Sequence, residues 1–116
     1  MPMDELIEFF TRYVQLTDEE ISFLREQAEL RRVPKNFLLL EEGQLSTEFF
    51  FIVKGSVRMF YLSDFEEKTA YFYTERMFVS SYRSFTQQVP APHNLATIEN
   101  TTLIVFNHEA AAKLSQ

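Results

Sequence analysis

Few residues in this chain are of types that do chemistry, and they are scattered. The two histidines are His93 and His108. His93 lies in a proline-flanked loop, and His108 sits where a closing helix is expected to start. A metal centre of the β-roll kind needs two or three histidines and a carboxylate converging, with two of the histidines close together on one strand. This pair does not have that spacing. Serines are plentiful, but no Gly-x-Ser-x-Gly elbow presents one as a nucleophile. The chain has only two glycines and so carries neither a Gly-x-Gly-x-x-Gly turn nor a phosphate-cradling loop. With no cysteine, disulfides, thiolate metal sites and cysteine nucleophiles are excluded. The acidic clusters Glu41-Glu42 and Asp64/Glu66/Glu67 read as solvated turns. One segment is richer: Ser80, Ser81, Tyr82 and Arg83, followed by Ser84 and Gln87, gather hydroxyls, an amide and a guanidinium.

The elements that would position these residues follow from periodicity. Apolar residues at Leu6, Phe9, Phe10, Tyr13 and Val14 recur at helical spacing, predicting an amphipathic helix over 4–14. Thr17 with Glu20 three positions on forms a capping box, and Asp18 and Glu19 suit the positive end of a helix dipole. A second helix is predicted over 18–30, with Ile21, Phe23, Leu24, Ala28 and Leu30 as its buried positions. Pro34 ends the helical part.

From there the pattern is that of an all-β unit, a roll over 31–106. Strands are predicted at Arg31–Val33, Phe37–Leu40, Phe49–Val53, Ser56–Leu62, Lys68–Tyr73, Met77–Val79, Asn94–Glu99 and Leu103–Phe106. The run Phe49–Val53 is apolar without interruption and suits a strand buried on both faces. Lys54-Gly55-Ser56 supplies a tight turn, and Gly43 another, at positions where a left-handed backbone favours glycine. Asn107 is placed to cap a last helix over 108–116.

Composition agrees with a folded unit. Apolar residues make up 46% of 116 residues, with 13 phenylalanines and five tyrosines. No apolar run is long enough to span a membrane. Asp4, Glu5 and Glu8 near the start do not resemble a secretory signal, and a cytoplasmic location is expected. The formal net charge of −6 makes these residues alone a poor match for a polyanion, so nucleic acid is not expected as their direct partner. The strand aromatics exceed what a small roll can hold. They are expected to pack on both faces of a sheet or to form a subunit interface, ahead of lining a ligand pocket.

Helices first, about eight short strands and a final helix suggest a double-stranded β-helix, or jelly roll. Several stretches, in order, resemble the cyclic-nucleotide-binding-type sensor domains of CRP/FNR-type transcription regulators. They are Leu16–Glu20, Arg32–Gly43, Glu48–Arg58 and Ala96–Phe106. The resemblance implies a non-enzymatic module in which a small-molecule effector enters the roll and shifts a homodimeric regulator. DNA would be contacted only through a helix-turn-helix domain not present in these 116 residues. It implies no cofactor and leaves the effector unnamed. Readings from other classes are a small cupin-like metal-dependent enzyme and a degenerate roll serving as a dimerisation platform.

In family members that bind a cyclic nucleotide, a Phe-Gly-Glu core and a later Arg-Ser/Thr-Ala triplet hold it. Here the corresponding stretch is Met77–Phe85, with Ser80 in the place of the glycine and Ser81 in that of the glutamate. Pro90–Ala96 contains no arginine. The usual anchor for a cyclic phosphate is therefore missing. The pattern Phe78, Tyr82, Ser84, Phe85 with Gln87-Gln88 resembles a divergent branch of these regulators. One reading makes Ser80, Ser81, Tyr82 and Arg83 a replacement ligand contact at the start of a short helix. The other packs Phe78, Tyr82 and Phe85 into the roll and leaves Arg83 to solvent or a carboxylate.

Overall fold

The computed structural model describes residues 2–13 and 15–107. Helix α1 spans Pro2–Tyr13 and α2 spans Asp18–Gln27. Strands β1 (Glu29–Val33), β2 (Leu38–Leu40), β3 (Glu48–Lys54), β4 (Val57–Ser63), β5 (Glu66–Tyr73) and β6 (Phe78–Val79) follow. A short helix α3 (Tyr82–Gln87) precedes β7 (Asn94–Thr97) and β8 (Thr101–Asn107). The expected closing helix over 108–116 and the side chains of Phe9, Phe10, Tyr13 and Tyr82 lie outside the described residues.

The capping box at α2 forms as read. Thr17 Oγ1 accepts from the Glu20 N–H at 3.1 Å, and Glu20 Oε1 accepts from the Thr17 N–H at 3.0 Å. Such a cap is worth about 1 kcal/mol. The helix then stops three residues earlier than the sequence suggests. Ala28 is extended (φ −87°, ψ 139°), and Leu30, expected on a buried helix face, is exposed on β1. The reason is pairing: Glu29–Val33 lies antiparallel to β8, from Glu29↔Val105 to Val33↔Thr101. Ladder hydrogen bonds to a distant strand outweigh the helix propensity of Glu29-Leu30-Arg31.

Two four-stranded antiparallel sheets face each other, in the orders β1-β8-β3-β6 and β2-β7-β4-β5. This is the double-stranded roll expected from the strand pattern. The unbroken run in β3 is buried from both sides because alternate residues serve two cores. Phe50 and Ile52 point inward, with Val33, Val57, Met59, Leu95, Leu103 and Val105. Phe51 points outward, against Leu6 of α1, Leu24 of α2, Ile104 and Phe106. Phe49 stacks on Phe106 with ring centroids 4.7 Å apart and meets Phe85 edge-on at 5.6 Å. Much of the aromatic excess therefore glues the helices to the first sheet. Tyr61, Tyr71 and Phe72 on β4 and β5 are exposed instead.

The β3–β4 turn pivots on Gly55, at φ +107°. A Cβ there would come within 2.8 Å of the Thr101 Cα. The β4–β5 turn is tighter than expected, reduced to Asp64 and Phe65, both at positive φ.

Candidate functional site

The segment singled out by its hydroxyls forms the β6–α3 connection. Ser80 is half-buried after β6, and Ser81 is buried at the N-cap of α3. The Ser81 hydroxyl has no hydrogen-bond partner among the described residues, and Arg83 on α3 is exposed. Phe85 is buried, and Phe78 packs on Phe51 with ring centroids 5.1 Å apart. The segment thus holds to the roll by its aromatic residues.

Its polar contacts run to the β2–β3 loop. The Ser46 N–H donates to Ser84 Oγ at 2.8 Å, with both residues buried. Gln88 Nε2 donates to the carbonyls of Ser46 (3.2 Å), Ser84 (3.4 Å) and Phe85 (3.0 Å). Gln88 caps α3 in the left-handed region at φ 55°. Of the Gln87-Gln88 pair singled out in the sequence, it is Gln88 that makes these contacts.

Next to this junction lies a cleft of about 490 Å³ between β2, the β2–β3 loop and the start of β3. Leu39, Leu40, Leu45 and Phe50 make its apolar wall. Gln44, Ser46, Thr47 and Glu48 supply its polar side. Ser80, Ser81 and Arg83 do not line it. Ser46 does, and ties it to α3.

Glu48 is the charged group of the cleft. Arg31 NH2 meets Glu48 Oε2 at 3.0 Å and Arg31 NH1 meets Oε1 at 3.3 Å. The same guanidinium also reaches both Glu29 oxygens at 3.3 Å. The hydrogen bonding of Arg31 to Glu48, opposed by partial burial and helped by Glu29, raises the Arg31 pKa above its already high ordinary value. Strand alternation brings the three groups together. Glu29 and Arg31 share the face of β1 that buries Val33, and Glu48 shares the inward face of β3 with Phe50 and Ile52. That period-two position was the signal in the sequence that could have found Glu48.

His93 is half-buried in the loop before β7. Burial pulls its pKa below the ordinary imidazole value, against an opposing pull from Glu42. Burial likewise raises the pKa of Tyr73, aided by Tyr71, whose ring is stacked 6.0 Å away. No group of three or more histidine, cysteine, aspartate or glutamate side chains able to hold a metal occurs among the described residues. No helix among them is long and apolar enough to cross a membrane.

The family model for the cyclic nucleotide-binding domain matches residues 30–116. The chain belongs to the cyclic nucleotide-binding domain family. Solved structures agree on the fold. The regulatory domain of Toxoplasma gondii PKA, solved with cAMP, superposes with a TM-score of 0.83 at 10% identity, covering 96% of this chain and 43% of that one. The Thermus thermophilus catabolite activator protein gives a TM-score of 0.74 at 17% identity, covering 98% and 49%. The sensor domain of the transcriptional regulator DNR from Pseudomonas aeruginosa gives 0.76 at 17% identity, covering 90% and 69%. This cyclic nucleotide-binding domain therefore spans less than half of the first two chains it resembles. No curated protein sequence matches it.

Proposed function

We propose that this chain is the effector-sensing regulatory domain of a CRP/FNR-type transcription regulator, acting without catalysis and without holding cyclic AMP in the manner of family members with the full cassette. The observation that carries this reading is the β6–α3 connection. Phe78 and Phe85 pack it against Phe51 and Phe49 of β3, while Ser80 and Ser81 stand where the family resemblance implies glycine and glutamate in a nucleotide-binding member. Its one guanidinium, on Arg83, is exposed. The charge pattern supports the same reading, because the cleft carries Glu48 and no basic side chain among the described residues lines it.

In this reading the effector enters the β2–β3 cleft and α3 responds. The link is the pair of hydrogen bonds joining Ser46 to Ser84 and Gln88. An occupant that shifts the loop by a fraction of an ångström must move or break them, and a packed junction of this kind switches between discrete arrangements. The segment Ser80–Arg83 then carries the change outward. Homodimerisation belongs to the full-length regulator, in the cytoplasm, and DNA contact to a helix-turn-helix domain outside these residues. The formal net charge of −6 is consistent with that division of labour.

Calorimetric titration with cyclic AMP and cyclic GMP tests the reading. No saturable binding is expected below millimolar concentration. Micromolar binding of either nucleotide, lost in Arg83→Ala, would overturn it.

A further inference from the structure

The electrostatics of the cleft name a class of ligand. Glu29 and Glu48 share one guanidinium, so the three groups carry a net charge of −1. Glu41 and Glu42, exposed on the same loop, add to the negative field. An anion entering here would meet that field and would have to pull Arg31 away from two carboxylates. A cation would not. A carboxylate offers about four lone-pair sites, and Arg31 uses one on each Glu48 oxygen, which leaves acceptors for an ammonium donor. Arg31 also holds Glu48 in place, so little side-chain entropy is lost when a ligand meets it.

We propose, building on the effector-sensing reading above, that the β2–β3 cleft takes a small amphipathic molecule bearing a protonated amine. The ammonium sits on Glu48, and the apolar body lies against Leu39, Leu40 and Phe50. The volume of about 490 Å³ suits a molecule of this kind, since small-molecule sites are typically about 300–1,000 Å³.

The test uses three probes of similar shape and different charge: 2-phenylethylamine, 2-phenylethanol and 3-phenylpropionate. Each is titrated into the ¹⁵N-labelled chain at low salt. The amine is expected to shift the backbone amides of Gln44–Glu48 and to bind on the order of fivefold to tenfold more tightly than the carboxylate, the effect of one unit charge at near-surface dielectric after screening. Glu48→Gln should bring that ratio close to one. Thr47→Lys alters an exposed rim position and leaves the Arg31 pair intact, so it keeps the test alive if Glu48→Gln does not fold. It should reverse the order of amine and carboxylate.

The assignment is overturned if the carboxylate binds the unaltered chain as tightly as the amine, or if the amine shifts amides away from the cleft. Cyclic AMP titrated in the same series separates the two readings. Saturable shifts at Ser80–Arg83 would sink the reading that the domain does not hold cyclic AMP in the cassette manner and leave the amine result standing. An inert cyclic AMP with a tightly bound carboxylate would sink the amine assignment alone.

Discussion

The backbone N–H of Ser46 points at the hydroxyl of Ser84, 2.8 Å away, and both residues are buried. Together with the bond from Gln88 Nε2 to the Ser46 carbonyl, it joins the loop that walls the cleft to the helix that follows β6. Ser84→Ala would leave the Ser46 N–H unpaired away from water, at a cost of about 1–3 kcal/mol. Ser81→Ala three residues earlier should behave in the opposite way. The Ser81 hydroxyl is buried without a partner among the described residues, so its removal should be neutral or stabilising by up to about 1 kcal/mol. Urea unfolding of the two variants side by side measures the contrast, and equal losses would contradict it.

The two glycines should differ sharply when replaced by alanine. Both have positive φ, at +93° for Gly43 and +107° for Gly55. Around Gly43 nothing lies within 4 Å of an added Cβ, so only the backbone cost of about 1–2 kcal/mol applies. At Gly55 the same cost is joined by a clash with the Thr101 backbone and the Asn100 carbonyl, the latter 2.9 Å away. Gly55→Ala should lower the unfolding midpoint well beyond Gly43→Ala, or leave no folded protein.

Aromatic substitutions should separate by face. Phe106 is fully buried between the first sheet and the helices, so Phe106→Ala should cost about 3–5 kcal/mol. Phe65 is fully exposed at the tip of the β4–β5 turn. Phe65→Asn should be neutral or stabilising, because asparagine adopts positive φ more readily than a bulky aromatic. Thermal melts of both variants check this.

Stability should fall as the solution is acidified through the histidine range, and His93 should contribute to the slope. Burial, its dominant influence, depresses the pKa of the folded state. The unfolded chain then binds more protons between the folded value and the ordinary value of about 6.5. The contribution is therefore complete above about pH 6.5 and is lost as pH drops through the folded pKa. His93→Gln should flatten the melting-temperature profile between about pH 7.5 and 5 relative to the unaltered chain. A His93 ring titrating above 6.5 in NMR would reverse the sign.

The roll and most of its strands were legible from local pattern, because alternation and turn residues are local signals. The Thr17–Glu20 cap and the pivot at Gly55 were legible for the same reason. The end of α2 was not. Glu29-Leu30-Arg31 is good helix sequence, and only pairing with β8 makes it a strand. The cleft was not legible: the sequence singles out the hydroxyl-rich stretch Ser80–Arg83, and none of Ser80, Ser81 and Arg83 lines the cleft. It depends on Arg31 and Glu48 meeting from different strands, and on Ser46 and Ser84, 38 positions apart, sharing a hydrogen bond.

The place of β1 in the first sheet has a consequence for synthesis. Its one strand partner among the described residues, β8, is made roughly seventy residues later, which at ordinary translation speeds is a wait on the order of 4–14 s. Throughout that interval Glu29–Val33 lacks the partner that makes it a strand, and an unpaired segment of this kind can recruit a neighbouring nascent chain. Three of its five residues, Glu29, Arg31 and Arg32, are charged. Two of them later hold the cleft's carboxylate frame together, but before β8 exists the same charges act as gatekeepers against aggregation on the ribosome.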